Sequence, residues 1–231
     1  MTNATAIDVQ PPAGTVPGES VYVVDIPTRL AHWGIFFSMI ALSVTGIWMA
    51  TGDMPPRATG QFQMAWVRYV HLLSGWILTS VVLLRIYLFF FGNRYASWRE
   101  FIPTTRARLK LIWEVFRYYT LIRTDYPHKD TGHNPLASAT YIGVYGLIGF
   151  EIVSGFALHG MAFQRGWQTW MTWPLALVGA QTLRFLHHLV MWLLWGFATH
   201  HVFSALLVDI ETRGGLMSGM FSGYKNVRKD V

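Results

Sequence analysis

Nine histidines occur in this chain of 231 residues, and four of them occupy positions from which they could act together. His32 begins one long apolar segment, His71 begins a second, and His187 and His201 lie near the two ends of a third. Neutral imidazole is a common ligand of transition metals, and histidine also carries protons near neutral pH. The chain has no cysteine, which excludes disulfides, iron–sulfur ligation and thioether attachment of a cofactor. The available chemistry is therefore metal coordination or proton transfer by histidine.

The segments that carry these histidines are long and apolar enough to cross a membrane. Apolar residues make up 52% of the chain and charged residues only 13%, about half the charged share of an ordinary soluble domain. Because a span needs about 20 mostly apolar residues, we predict four helices, at about 30–50, 69–91, 137–160 and 185–208. A soluble four-helix core would need polar faces at helical period, which these segments lack.

Lysine and arginine are distributed unevenly between the two sides of the predicted membrane domain. The predicted organisation is an N-terminal tail at 1–28, a transmembrane domain at 29–209 with a loop at 92–136, and a C-terminal tail at 210–231. The tails, the loop and Arg29 lie on one side and carry 13 Lys and Arg, whereas the other side carries four. Since cytoplasmic segments are enriched in basic residues, both termini are predicted to be cytoplasmic, in a bacterial inner membrane. The net charge of +6 follows from this bias and does not indicate a nucleic-acid partner.

Two further expectations concern segments on this cytoplasmic side. The N-terminal tail is rich in Pro, Gly and Thr, and we expect it to be partly disordered. Residues 106–124 alternate basic and apolar residues at helical spacing, which predicts an amphipathic helix lying on the membrane interface.

Helix geometry selects which histidines of the last span can face the same way. His187 and His201 are 14 residues apart, which corresponds to about 21 Å of rise and is about 40° short of four full turns. They therefore share one face at opposite leaflets. His188 and His200 diverge by about 120°, so they make the poorer pair. Their adjacency still leaves each choice of ligand open by one position.

The alternating direction of the spans gives each member of this pair a partner. His32 lies level with His201 on the cytoplasmic side, and His71 lies level with His187 on the far side. Two bis-histidine haems satisfy all four residues, because neutral imidazole binds haem iron and bundle interiors hold cofactors. Copper or zinc would also accept histidine, but neither explains two pairs about 20 Å apart. The predicted fold class is an all-α integral membrane four-helix bundle enclosing two b-type haems.

Arginines and glycines near the proposed ligands support haem as the cofactor. Three arginines precede a proposed ligand by three residues, one turn nearer the membrane surface, where they could contact haem propionates. Snorkelling of arginine at helix ends is the alternative interpretation. Glycine allows a flat macrocycle to approach the backbone, although small residues at helix crossings are as good an explanation. The candidate cofactor-binding residues are Arg29, Arg68, Arg184, Gly46 and Gly75.

Several short motifs resemble one family of membrane cytochromes, the cytochrome b subunit of membrane-bound nickel–iron uptake hydrogenases. The resemblance extends over about residues 21–225. The motifs are DIPTRLAHW at 25–33, RIY at 85–87, GNRY at 92–95, GHNPLA at 132–137, SGFAL at 154–158, His187 with Met191 and Trp192, His201 with Val202, and SGM with SGY at 218–224. The related formate dehydrogenase gamma subunit would share the histidines, but GNRY and GHNP favour the hydrogenase branch.

The resemblance implies a function in electron transfer. Electrons would arrive from a hydrogenase small subunit, itself bound to the large subunit, that docks on the periplasmic face. They would pass from the haem of His71 and His187 to the haem of His32 and His201, and then to quinone near the cytoplasmic side. The chain on its own would not be an enzyme. It would be the electron-transfer and quinone-reducing subunit of a hydrogen:quinone oxidoreductase.

His133 and Glu151 are candidates for quinone binding or proton transfer. His133 lies on the cytoplasmic side, where imidazole could bond a quinone carbonyl, or could serve only in a turn. Glu151 lies inside a span, where an unpaired carboxylate is costly, so it is either protonated and hydrogen-bonded to a neighbouring helix or part of a proton path. A proton-coupled transporter is the alternative from another class, and the lack of helix-breaking proline in the spans argues against it.

Overall fold

The fold consists almost entirely of helices in the part of the chain that the computed structural model describes, namely residues 20–52, 62–93, 95–98, 106–120, 122–124, 135–162, 166–212 and 214–226. The elements, in chain order, are β1 (Ser20–Tyr22), α1 (Ile26–Thr51), α2 (Gln63–Phe91), α3 (Arg106–Tyr119), α4 (Pro135–Ala162), α5 (Trp167–Trp170), α6 (Trp173–Val178), α7 (Ala180–Thr212), α8 (Leu216–Ser222) and β2 (Tyr224–Asn226).

Four of these helices are long and apolar enough to cross a membrane. The candidate spans are Ile26–Thr51, Gln63–Phe91, Thr140–Ala162 and Ala180–Ile210. The four predicted spans are confirmed, and α1, α2, α4 and α7 each enclose the predicted range. Many large apolar side chains on these helices are exposed, as hydrocarbon-facing helices require; Phe37, Phe90 and Phe203 are 61%, 61% and 63% exposed.

The structure divides into two compact units, each of which contains part of every long helix. We call Leu30–Ile86 with Leu147–Leu194 the spanning unit. The described residues of Met1–Arg29, Tyr87–Gly146 and Trp195–Val231 form the terminal unit.

Small and aromatic residues pack the helices of the spanning unit. Gly34 brings α1 close to α2, since a Cβ there would lie only 2.8 Å from Cγ1 of Val81. Small residues allow such close approach between membrane helices. The rings of Trp76 on α2 and Phe156 on α4 have centroids 4.7 Å apart. Polar contacts join α1 to α2 and α4 to α7 in the same unit.

The terminal unit joins two segments from opposite ends of the chain, which the sequence patterns did not predict. Strands β1 and β2 pair antiparallel, with Ser20 opposite Asn226 and Tyr22 opposite Tyr224. The carbonyl of Gly223 accepts hydrogen bonds from the backbone N–H groups of Val23 and Val24, at 2.9 and 3.0 Å. We call residues 20–24, 92, 93, 95, 96 and 216–226 the terminal clamp.

Asn93 ties the end of α2 into the terminal clamp. Its side-chain Nδ2 donates to the carbonyl of Val23 at 3.3 Å. Its Oδ1 accepts from the backbone N–H groups of Tyr95 and Ala96, at 3.0 and 2.8 Å. Tyr95 is buried with Val23 and Val24 in one apolar cluster. The motif at 92–95 therefore has a structural role in the described residues.

Helix α3 is shorter than predicted. It ends at Tyr119, so the predicted helix over 106–124 is wrong in its last turn. The N–H groups of Ile122 and Arg123 both bond the carbonyl of Arg117, at 2.9 and 3.1 Å, which turns the chain back. Arg123 then pairs with Glu114 at 3.2 Å. Tyr118 of α3 packs against Val208 of α7, so the apolar side of α3 also contacts protein.

Gly223 tests how far the terminal clamp depends on glycine. Its φ is +90°, and a Cβ would lie 2.5 Å from the Tyr22 ring and 2.8 Å from the carbonyl oxygen of Val24. Gly52 is a matched control, because its φ is +68° but a Cβ would meet nothing within 4 Å. We expect Gly52→Ala to lower the free energy of unfolding by roughly 1–2 kcal/mol through backbone strain.

Gly223→Ala should lower the free energy of unfolding by about 1–3 kcal/mol more than Gly52→Ala does, because the added Cβ overlaps Tyr22 and Val24. Thermal and denaturant unfolding in detergent, followed by circular dichroism, measures both variants. Equal destabilisation by the two substitutions would show that the contacts around Gly223 do not matter.

Candidate cofactor site

His71, on α2, is held by a hydroxyl from α1. Its ring nitrogen Nδ1 lies 2.8 Å from Oγ1 of Thr45. That hydroxyl lies 2.6 Å from the carbonyl oxygen of Ala41, to which it donates its proton. The Thr45 oxygen is therefore the acceptor, and we assign the proton of His71 to Nδ1. Thr45 is buried, so water does not compete for this bond.

His187, on α7, is held in the same way by α4. Its Nδ1 lies 2.7 Å from Oγ of Ser154, a side chain only 1% exposed. The Ser154 hydroxyl donates to the backbone carbonyl of Glu151 at 3.2 Å, so its oxygen accepts from Nδ1. The Glu151 carboxylate also faces this nitrogen, with Oε2 at 2.9 Å. The serine oxygen is therefore the acceptor of this hydrogen bond, which assigns the proton of His187 to Nδ1.

Each of the two rings also lies against a glycine next to the hydroxyl residue that holds it. A Cβ at Gly46 would lie 3.4 Å from Cε1 of His71, and a Cβ at Gly155 would lie 3.4 Å from Cε1 of His187. A hydroxyl–glycine dipeptide on the neighbouring helix thus serves each histidine: Thr45-Gly46 on α1 and Ser154-Gly155 on α4.

This arrangement fits a group bound through the opposite ring nitrogens. With the proton on Nδ1, each neutral imidazole keeps its lone pair on Nε2. His71 and His187 both lie in the spanning unit. Two rings prepared alike could together hold one haem iron.

The neighbouring His188 points to its own helix. Its Nδ1 lies 2.9 Å from the backbone carbonyl of Arg184, one turn earlier in α7. Of the two adjacent histidines, His187 is thus the one that α4 holds. The choice of His187 rather than His188 as a ligand stays a prediction, and the contact with α4 supports it.

The two members of the other proposed pair, His32 and His201, lie in different units. His201, in the terminal unit, is half-buried and stacks on Phe197 at a centroid distance of 5.5 Å and an angle of 18°. Tyr141 of α4 approaches the same ring at 6.2 Å. Its neighbour His200 is exposed. His32 lies in the spanning unit and is half-buried. The pairing of His32 with His201 stays a prediction.

The predicted arginines occupy different environments. Arg29 is half-buried, and its Nη1 donates to the carbonyl of Phe221 in the terminal clamp. Arg184 is exposed and donates to Oε1 of Gln181 at 3.2 Å. Arg68 is exposed. Arginine has five N–H donors, so these contacts leave donors for propionates.

The remaining three predicted residues are Gly75, His133 and Glu151. A Cβ on Gly75 would meet nothing within 4 Å in the described part of the chain, so the close contact falls to Gly46 and Gly155. His133 lies outside the described residues. Oε2 of Glu151 lies 2.9 Å from Nδ1 of His187 on the neighbouring helix, and both of its predicted roles stay predictions.

Three residues of the site escaped the sequence analysis: Thr45, Ser154 and Gly155. The dipeptide was not a specific signal, because a hydroxyl residue followed by glycine occurs at 45–46 and 154–155 but also at 74–75 and 218–219. The dipeptide at 154–155 also lies in the SGFAL motif.

The geometry can now be compared with known proteins. The sequence profile of the prokaryotic cytochrome b561 family matches residues 23–223. This chain belongs to that family. The match extends over all four spans and the histidines of the site. The all-α membrane bundle predicted from the sequence is confirmed by this membership and by the four long helices.

Relatives of the chain carry consistent names. A probable Ni/Fe-hydrogenase B-type cytochrome subunit of Rhizobium leguminosarum bv. viciae is 33% identical over 220 residues, covering 90% of this chain and 89% of the relative. One of the same name from Cupriavidus necator is 32% identical over 235 residues, covering 99% and 96%. The probable Ni/Fe-hydrogenase 1 B-type cytochrome subunit of Escherichia coli is 32% identical over 219 residues, covering 90% and 91%. The resemblance inferred from the motifs is confirmed.

Gly155 provides a test of the site in this b561 cytochrome. In Gly155→Val, the branched side chain would extend from a position already 3.4 Å from the His187 ring. We expect the displaced ring to lower the haem content per polypeptide. Gly149→Val, on the same helix, is the control, because a Cβ there meets nothing within 4 Å. The pyridine haemochrome assay on purified protein measures both. Full haem in Gly155→Val would contradict the close packing of ring and glycine.

Proposed function

We propose that this chain is a dihaem b-type cytochrome that anchors a periplasmic nickel–iron hydrogenase and transfers its electrons across the membrane to quinone. The observation that carries the proposal is the matched pair of contacts at His71 and His187. Both rings are held through Nδ1 by a hydroxyl on a neighbouring helix, and both keep Nε2 for a ligand. The names of the relatives support the hydrogenase as partner.

One haem would be held by His71 and His187, and the other by His32 and His201. Haem iron supplies reversible one-electron transfer when it is bound. The chain's own part is to orient the imidazoles, to exclude water with the apolar faces of the spans and to offer arginine to propionates at the membrane surface. The propionate candidates are Arg29, Arg68 and Arg184, and Gly46 gives close access beside His71.

The absence of cysteine indicates which chemistry the proposed partner must supply. Without cysteine it cannot hold an iron–sulfur relay. Hydrogen cleavage and the relay from it therefore belong to the hydrogenase subunits, with the small subunit docked on the periplasmic face. Both termini would be cytoplasmic in the inner membrane. Quinone would be reduced near the cytoplasmic side, where His133 is the candidate for bonding the quinone carbonyl. Glu151, the other candidate for quinone binding or proton transfer, contacts His187.

Isolation of the complex from native membranes tests this function. We expect red protein with a b-type reduced-minus-oxidised spectrum, two haems per chain and a co-purifying nickel–iron hydrogenase. Hydrogen should reduce the haems and then a quinone analogue. A correctly folded but colourless preparation would exclude the cytochrome function, and a co-purifying formate dehydrogenase would replace the proposed partner.

His187 and His188 provide a matched pair of substitutions for the haem pairing. His187→Ala removes a ring that α4 holds, and we expect it to remove one of the two haems and to leave the other. His188→Ala removes a ring bonded to its own helix, so both haems should stay. Haem-to-protein ratios and difference spectra of the purified variants check this. Two haems in His187→Ala, or one in His188→Ala, would refute the assignment.

A further inference from the structure

Glu151 places a carboxylate inside a membrane-spanning helix. The side chain is only 13% exposed, and its Oε1 is buried without a hydrogen bond from the described residues. A buried charge in hydrocarbon is costly unless it is paired. Its contact on the other oxygen is Nδ1 of His187, at 2.9 Å from Oε2. The carboxylate therefore contacts the ring nitrogen of His187 that faces away from the proposed haem.

The two proposed ligands of this haem, His71 and His187, differ in whether a carboxylate contacts the ring. The partner of His71 is the neutral hydroxyl of Thr45, and no acidic side chain contacts that ring among the described residues. His187 has the equivalent hydroxyl, Ser154, and the carboxylate in addition. Hydroxyl contacts alone are therefore enough to hold a ring in this fold, and Glu151 adds charge where the geometry was already satisfied.

We propose that Glu151 is a positioning residue that makes His187 the stronger electron donor of the pair and thereby lowers the midpoint potential of the haem it shares with His71. This inference rests on the proposed haem ligation. A carboxylate 2.9 Å from Nδ1 favours the proton on that nitrogen and would leave Nε2 for the iron. Carboxylate–histidine–metal arrangements raise the basicity of the ligand in this way.

The direction of the effect follows from charge. Ferric haem carries one positive charge more than ferrous haem, so a nearby carboxylate and a more basic ligand both favour the ferric form. Polar contacts to the back of an iron ligand are one of the means by which proteins set haem potentials. The low exposure of Glu151 and His187, 13% and 18%, limits screening by water.

Glu151→Gln tests the inference in the full chain with both haems bound. The amide keeps the shape and an acceptor oxygen but loses the charge. We expect the midpoint potential of one haem to rise at fixed pH and that of the other to stay. Contacts to a charged group are about twice as strong as contacts to a neutral one, and Glu151→Gln removes the charge. The expected change is about tenfold in the ferric-to-ferrous ratio. For a one-electron couple, that is about 59 mV.

Spectroscopy and neighbouring variants separate positioning from general packing. Electron paramagnetic resonance of the ferric protein should show altered g-values for one low-spin haem in Glu151→Gln. Thr45→Val and Ser154→Ala remove neutral partners and should each shift the potential less. Ser38→Ala, on α1, is the control, because Ser38 is buried and makes no hydrogen bond to a histidine among the described residues. It should shift nothing.

The outcomes distinguish this inference from the function on which it rests. Two haems with unchanged potentials and g-values in Glu151→Gln overturn the role of Glu151 and leave the cytochrome function standing. A wild-type protein without haem overturns both. If Glu151→Gln does not accumulate, Glu151→Asp retracts the carboxylate by one methylene. It should raise the same potential by less, and an unchanged potential there overturns the inference equally.

Discussion

A polar ring nitrogen that faces another helix inside a bilayer must find its partner there, because hydrocarbon supplies none. His71 and His187 satisfy this constraint with hydroxyls on α1 and α4. Each hydrogen bond fixes the rotation of one helix against the next and, at the same time, sets the tautomer of an imidazole. The contacts that align α1 with α2 and α4 with α7 are therefore the contacts that would prepare the rings as the proposed ligands. Fold and chemistry share the same bonds in the spanning unit.

Residues in and next to the terminal clamp maintain the fold, and they are distinct from the histidines of the candidate site. Asp25 accepts the N–H of Thr28 at 3.0 Å and caps α1, and Asp209 accepts the N–H groups of Leu216 and Met217 at the start of α8. Asn93 connects the end of α2 to β1. Several of the motifs that indicated the family thus serve to close loops and cap helices, and the histidines with their hydroxyl partners carry the evidence for a cofactor.

The sequence predicted what depends on composition and helical period, namely the four long apolar helices. It did not predict Thr45 and Ser154 as partners, because hydroxyls in apolar helices usually bond their own helix. Thr79 and Thr199 do so, with the carbonyls of Gly75 and Trp195. Only the position of a second helix distinguishes the two uses. Strand pairing between β1 and β2 was equally out of reach, since its partners are 206 residues apart and no local pattern links them.

The antiparallel register of β1 and β2 has a consequence for how the protein is made. Ser20 leaves the ribosome early and Asn226 late, so all four long helices are synthesised before the two strands can pair. Until then β1 has an open edge, and open strand edges are sites of unwanted pairing and aggregation. The clamp closes only on chains translated through Asn226. A stalled or truncated product would keep the open edge, by which proteases and chaperones could tell it from a finished one.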